Sequence, residues 1–161
     1  MIDLNKFLKV RPLRNDEKNF VYSSWLKSVR VTSDWSKIKP DQVFFREYQK
    51  LIKSRLETSS VLVATPASEQ NILIAYLCYQ FVNDCLILDF IYVKGSFRRN
   101  GIAQYLIEHV TRLLNPANTI MTHYSSKFNF QYDPFLFLSE GKVCPQKKQE
   151  GKICEPEQMS V

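Results

Sequence analysis

Residues 91–103 read IYVKGSFRRNGIA and join an apolar run to an amphipathic pattern that continues to Leu114. The apolar run predicts a buried strand, the basic residues around a glycine predict a short turn, and the pattern after Gly101 predicts a helix with no acidic residue in its first turn. The free N–H groups and the dipole of a helix N-terminus attract anions, and Arg98 and Arg99 add fixed charge beside them. The stretch therefore predicts a site for a ligand that carries phosphate.

The length and composition of the chain favour a single globular domain. It has 161 residues, of which 45% are hydrophobic and 13% aromatic, enough for one sizeable core. The net charge of +6 favours anionic partners, but a merely soluble protein could carry the same charge. The basic residues form neither a long run nor a stripe along one helix, so a nucleic-acid-binding domain is a less favoured alternative.

The N-terminal residues and the cysteines bear on the cellular compartment. Residues 1–6 lack the pattern of a signal peptide, and no apolar stretch approaches the roughly eighteen residues of a membrane span. We expect a cytoplasmic protein with reduced thiols that is not inserted in a membrane. No Cys-x-x-Cys spacing occurs and the histidines lie far apart, which predicts no structural metal among Cys78, Cys85, Cys144, Cys154, His109 and His123.

The first half of the chain predicts an edge strand, two helices and a further strand. The helices are inferred from apolar residues three and four apart, and Asn15 or Asp16 is the expected cap of the first one. Trp35, in the loop between the helices, either packs on the core or lines a substrate entrance. The expected elements are a strand at Leu8–Arg14, a helix through Val21, Trp25 and Val29, a helix through Phe44, Tyr48 and Leu51, and a strand at Ser60–Thr65.

The second half predicts a hairpin followed by a β-α-β crossover. Two apolar runs around Asn83-Asp84 are typical of a tight hairpin in the middle of a sheet. The helix after Gly101 ends at Asn115-Pro116, and the run from Thr119 to Ser125 predicts a strand parallel to the one before the turn. Ligands of such units bind at the carboxyl end of the first strand.

Asp89 is the one carboxylate inside an otherwise apolar strand. If the hairpin loop has two residues, Asp89 lies opposite Cys78. Burial without partners would be costly or would raise its pKa, so the residue needs a reason to be there. Either the carboxylate is a structural group hydrogen-bonded to its neighbours, or it is a general base.

The motif in residues 93–103 closely resembles the acetyl-CoA signature of the GNAT acetyltransferase superfamily. That signature has Arg or Gln, two residues, Gly, one residue, then Gly or Ala, and its fixed positions match Arg98, Gly101 and Ala103. The preceding strand, the aromatic residue at position 97 and the apolar helix also agree with the family. The resemblance implies an α/β (α+β) fold with a mixed, mostly antiparallel sheet flanked by helices, in which one β-α-β crossover carries the acetyl-CoA site.

The resemblance extends over most of the chain and implies transfer of an acetyl group from acetyl-CoA to a primary amine, without a metal. It makes residues 1–139 the acetyltransferase domain, and the polar residues 140–161 are expected to form a flexible tail. The residues expected to contact acetyl-CoA are Ile91, Tyr92, Val93, Arg98, Arg99, Asn100, Gly101, Ile102, Ala103 and Ser125.

Two residues are candidates for the chemistry. Asp89 would accept the proton of the amine, and Tyr132 would protonate the departing thiolate. Ser125, Tyr132 and Phe137 fall at the family spacing of an Asn, a Tyr and a Phe after the fifth strand, with Ser in place of Asn, and Pro134 interrupts the usual ending.

Two alternatives to the acetyltransferase remain at this stage. A non-catalytic module of the same fold would keep the cofactor or a partner site without transfer, and a nucleic-acid-binding domain ranks third. The amine acceptor, a small molecule or a protein, is not encoded in a recognisable motif, and a homodimer stays open.

Overall fold

The structure, a computed structural model, describes residues 3–32, 40–123 and 125–133, and six strands within them form one mixed sheet in the order β1-β2-β3-β4-β5-β6. Strands β1 to β4 pair antiparallel with their neighbours along the chain, whereas β5 is parallel to both β4 and β6. The predicted mixed, mostly antiparallel sheet is confirmed. The strands are β1 (Leu8–Pro12), β2 (Ser60–Pro66), β3 (Ala75–Val82), β4 (Cys85–Val93), β5 (Asn118–Met121) and β6 (Gln131–Tyr132).

Helices cover both faces of this sheet. Leu77 of β3 packs in the cluster that contains Leu106, whereas its neighbour Cys78 packs with Trp25 and Ile52. Because successive side chains of a strand point to opposite faces, the last helix lies on one face and the two longer ones on the other. The helices are α1 (Leu4–Phe7), α2 (Lys18–Thr32), α3 (Asp41–Thr58) and α4 (Ile102–Leu114).

The start of α2 differs from the prediction. A 3-10 turn at Asn15–Glu17 precedes the helix, so neither Asn15 nor Asp16 is its N-cap. Glu17 instead accepts the backbone N–H of Arg14 at 2.9 Å and the guanidinium of Arg11 at 2.9 Å. The hydrogen bond from Arg11 holds the pKa of the Glu17 carboxyl below its usual value. Trp35 lies outside the described residues.

The hairpin between β3 and β4 has the two-residue loop that was predicted. Val82 pairs with Cys85, and the loop residues Asn83 and Asp84 have φ angles of 50° and 58°. Two successive left-handed residues are the conformation of a type I′ turn, whose twist matches that of the flanking strands. The turn therefore fixes the register at the start of β4.

The register changes farther along, at Asp89. Tyr79 faces Leu88 while Cys78 faces Phe90, so Asp89 is an extra residue in β4. The prediction that Asp89 lies opposite Cys78 is wrong, because it assumed a regular ladder after the two-residue loop. A bulge of this kind bends its strand and redirects the side chains that follow.

The bulge coincides with the point where β4 and β5 separate. β5 pairs with β4 only over Cys85–Leu88, and the last backbone bond joins Thr122 N to Leu88 O at 3.1 Å. β5 ends at Met121, so the predicted strand through Ser125 is too long. Beyond the bulge, the edge of β4 that faces β5 has no strand pairing within the described residues.

No helix among the described residues is long and apolar enough to cross a membrane. The expected tail, residues 140–161, and the aromatic residues from 134 to 138 lie outside the described part of the chain.

The hairpin turn gives a test of the fold. Glycine adopts left-handed φ without strain, so Asp84→Gly should raise the free energy of unfolding by up to about 1 kcal/mol. Asp84→Ala should lower it, because alanine tolerates positive φ less well than aspartate. Denaturant unfolding of both variants measures the difference, and equal stability of the two would contradict a type I′ turn.

Candidate active site

A cavity of about 1380 Å³ lies where β4 separates from β5. On one side it is bordered by the turn before α4 and by α4 itself, and on the other by α2 and α3. Asp89, Phe90 and Ile91 of β4 line it between these sides. Two ligands that enter from opposite faces of the sheet can therefore meet beside the same strand.

The N-terminus of α4 has the properties of an anion site. Gly101, at φ 74°, precedes the helix without a side-chain cap, and the first turn contains no acidic residue. Tyr105 N donates to Gly101 O at 2.9 Å, so the N–H groups of Ile102 and Ala103 lie ahead of the first intrahelical bond. Such groups seek an external acceptor, and the helix dipole favours a negative one.

The basic turn before α4 is held by its own hydrogen bonds. Arg98 Nε donates to Val93 O at 2.9 Å, and Asn100 Nδ2 donates to Phe97 O at 3.3 Å. Arg99 has a φ of 67°, which costs a residue with a Cβ roughly 1 kcal/mol. The turn thus places two exposed guanidinium groups beside the helix N-terminus in a defined conformation.

The residues predicted to contact acetyl-CoA differ in their position relative to the cavity. Arg98, Arg99, Ile102 and Ala103 border the cavity on the α4 side, together with Ile91, Val93 and Ser125, whereas Asn100 and Gly101 contribute backbone outside its lining. Tyr92 also borders the cavity, but from the other face of the sheet, where its ring stacks on Tyr76 with centroids 5.2 Å apart.

Asp89 is fully buried under the bulge. Its Oδ2 accepts hydrogen bonds from Ser59 Oγ at 2.8 Å and from Gln80 Nε2 at 2.9 Å. These contacts suit the structural interpretation of the carboxylate, and its position at the cavity suits the catalytic one. The role of general base stays a prediction.

The sequence model of the Acetyltransferase (GNAT) family matches residues 24–127, more than half of the chain. The chain belongs to the GNAT acetyltransferase family. No curated protein matches the sequence at a significant level.

Solved structures of this family share the fold at low sequence identity. A GNAT family acetyltransferase from Brucella melitensis in complex with acetyl-CoA has a TM-score of 0.54 and 10% identity, over 75% of this chain and 79% of that chain. A protein described as a possible acetyltransferase from Clostridium difficile 630 has a TM-score of 0.51 and 19% identity, over 76% and 82%. The apo form of YjaB from Escherichia coli gives 0.51 and 20%, over 70% and 69%.

Tyr132, the predicted acid of this GNAT protein, lies on β6 opposite Met121. It borders the cavity, and 47% of its surface is exposed. Ser125 opens a turn, in which Phe128 N donates to Ser125 O at 3.4 Å. These positions do not test the roles predicted for Tyr132 and Ser125.

Two residues at the cavity were missed in the sequence. His123 follows β5, and its Nε2 lies 3.1 Å from the hydroxyl of Tyr48 on α3. Burial raises the pKa of Tyr48, so its phenol stays protonated. A histidine just past the carboxyl end of a parallel strand is a detectable signal, but its partner is 75 residues away and only the fold brings the two together.

No group of three or more His, Cys, Asp or Glu side chains in the described part of the chain is arranged to hold a metal ion. Cys78 and Cys85 are buried. Cys144 and Cys154 lie outside the described residues.

The left-handed positions of the turn provide a matched pair of variants. A Cβ on residue 101 would lie 3.9 Å from Leu4 Cδ1, an ordinary contact, so Gly101→Ala should lose about 1 kcal/mol of unfolding free energy through backbone strain alone. Arg99→Gly removes both strain and charge, so it should keep its stability and bind acetyl-CoA less tightly. Melting curves with and without acetyl-CoA measure both effects. A clear destabilisation by Arg99→Gly would contradict the assigned conformation.

Proposed function

We propose that this GNAT protein transfers the acetyl group of acetyl-CoA to a primary amine by direct attack in a ternary complex. The observation that carries the proposal is the cavity that passes beside β4 from the N-terminus of α4 to the space between α2 and α3. Both substrates would occupy one continuous site, so the reaction needs no covalent intermediate on the protein.

In this proposal the α4 side binds acetyl-CoA. The N–H groups from Arg99 to Ala103 hold the pyrophosphate, and the charges of Arg98 and Arg99 add to the attraction. The unpaired edge of β4 at Ile91–Val93 binds the pantetheine arm as an added strand would. A main-chain N–H near Val93 stabilises the oxyanion that forms during attack. The family membership and the acetyl-CoA complex of the Brucella melitensis protein support this arrangement.

The acceptor would enter between α2 and α3. Phe20, Phe44 and Leu51 supply apolar wall, while Glu47 supplies a carboxylate at the same cavity. An amine is cationic in water and becomes neutral before it attacks, so a wall that combines aromatic rings with one carboxylate suits both forms.

Protons have to move in two directions during this reaction. Asp89 accepts the proton of the incoming ammonium group, directly or through water, and Tyr132 protonates the thiolate of CoA. A non-catalytic module of the same fold is the alternative, and it would bind acetyl-CoA without releasing CoA.

Thermal melting with acetyl-CoA tests the binding part. A ligand that binds the native state raises the melting temperature. At a concentration 100 times its dissociation constant, it adds about 2.7 kcal/mol to the free energy of unfolding. Release of free thiol is then followed with 1,4-diaminobutane, with a peptide that has a free N-terminus, and with an N-blocked peptide that contains lysine. We expect a melting shift and thiol release with at least one amine.

The outcomes separate the alternatives. A melting shift without thiol release from any amine supports the non-catalytic module. No shift at millimolar acetyl-CoA rejects the proposal. Tight binding of an oligonucleotide that weakens steeply with salt would then favour the nucleic-acid alternative.

The two residues assigned to proton transfer are tested by Asp89→Asn and Tyr132→Phe. Each should lower kcat by roughly 100-fold, the usual loss on removal of a general acid or base. Asp89→Asn should recover at alkaline pH, because the solution then supplies the neutral amine. Steady-state thiol release against pH measures both effects.

Matched controls for these variants lie away from the cavity. Asp84→Asn removes the carboxylate of the hairpin turn, and Tyr22→Phe removes a hydroxyl on α2; both should keep full turnover. Full turnover by Asp89→Asn or Tyr132→Phe would instead remove that residue from the mechanism.

A further inference from the structure

The acceptor nitrogen loses two protons when an ammonium group becomes an amide. Asp89 accounts for the first, which leaves before attack; the second leaves as the new C–N bond forms. We propose that Tyr48 and His123 form a relay that accepts this second proton. The inference rests on the proposed function, because it assigns a further step of the same reaction.

The relay is a chain of three side chains at the cavity. Tyr48, Thr122 and His123 all border it. The Tyr48 hydroxyl lies 3.1 Å from His123 Nε2, and His123 Nδ1 lies 3.0 Å from Thr122 Oγ1. Thr122 Oγ1 in turn lies 3.0 Å from the backbone oxygen of Asp89 and 3.3 Å from that of Leu88. The chain therefore runs from the acceptor side of the cavity to the bulge of β4.

The direction of each hydrogen bond follows from the carbonyl groups. Carbonyl oxygens only accept, so the single hydroxyl proton of Thr122 is donated to one of them, and Oγ1 accepts from His123 Nδ1. In the neutral imidazole the proton then sits on Nδ1, which leaves the lone pair of Nε2 for the hydroxyl of Tyr48. Thr122 thus holds the tautomer that lets His123 accept a proton from Tyr48.

The step balances in atoms and electrons. As the amine nitrogen bonds to the thioester carbon, the π electrons of the C=O bond move to its oxygen and one N–H bond breaks; the electrons of the N–H bond stay on nitrogen, and the proton goes to Tyr48 Oη. The Tyr48 O–H bond breaks at the same time, and that proton goes to His123 Nε2. The oxyanion then reforms the C=O bond as the C–S bond breaks; the electrons of that bond leave with sulfur, and the thiolate receives its proton from Tyr132. Before the next cycle, Asp89 and the imidazolium give their protons to water and Tyr132 takes one proton back, so one proton is released to the solvent in each turnover.

Two aromatic rings pack against the imidazole of His123. The rings of Trp25 and Phe90 meet the imidazole at angles of 69° and 80°, with centroids 6.3 and 5.5 Å away. These contacts hold the imidazole between the sheet and α2. Titratable groups border the same cavity from the neighbouring elements: Lys27 on α2, Glu47 and Tyr48 on α3, Asp89 and Tyr92 on β4, Arg98 and Arg99 before α4, Lys127 after β5, and Tyr132 on β6.

The kinetic test uses Tyr48→Phe and His123→Gln in the full chain, with the best amine of the panel above. Each variant should lower kcat by about 100-fold, and the double variant should fall no further, because the two residues act as one unit. Alkaline pH should restore Asp89→Asn but neither relay variant, since the second proton stays on the amine until the attack itself. All variants should keep the melting shift with acetyl-CoA.

Two controls match the relay residues. His109→Gln replaces the other histidine of the chain, on α4 and outside the cavity lining, and Tyr22→Phe removes a hydroxyl outside that lining. Both should retain the turnover of the wild type. Nitrogen-15 NMR of histidine-labelled His109→Gln protein then reports a single imidazole, which should carry its proton on Nδ1.

Several results would overturn the relay. Turnover that survives in Tyr48→Phe or His123→Gln, recovery of these variants at alkaline pH, or a proton on His123 Nε2 in the neutral imidazole each contradict it while leaving acetyl transfer intact. If the wild type binds acetyl-CoA but acetylates no amine, the proposed function fails and the relay falls with it.

Discussion

The hydrogen bonds from Ser59 and Gln80 to the carboxylate of Asp89 hold an extra residue in β4, at the place where the sheet opens. A buried carboxylate is costly to leave unpaired, and these two donors contribute to making its position tolerable. The bulge turns Phe90 and Tyr92 toward α2, where they stack on Trp25 and Tyr76. Side chains on both faces thereby fix the course of the strand beyond Leu88.

The opening of the sheet follows from the same constraint. β5 stays with β4 for four residues and then leaves it, and Thr122 closes the junction by bonding to the carbonyl groups of Leu88 and Asp89. An unpaired strand edge normally invites another strand or a ligand. Here the edge lies inside a cavity, next to the N-terminus of α4, so backbone groups of β4 and of the helix face the same space.

The part of the fold that could be predicted is the part encoded locally. The hairpin around Asn83-Asp84, the helix after Gly101 and the parallel crossover all follow from contiguous residues whose spacing and turn chemistry are distinctive. The bulge could not be predicted, because the apolar run of β4 is compatible with either register and the donors to Asp89 come from residues 30 and 9 positions away. The early end of β5 likewise depends on Thr122 bonding back to β4.

The same distinction separates the two sides of the candidate site. The α4 side is built from one stretch, residues 91–103, so a motif in the sequence can reveal it. The opposite side combines α2, α3 and the residues after β5, and its most informative contact joins Tyr48 to His123 across 75 residues. Contacts between distant elements leave no fixed spacing in the sequence. Members of one family can therefore share a recognisable cofactor turn while the chemistry and the choice of acceptor vary beside it.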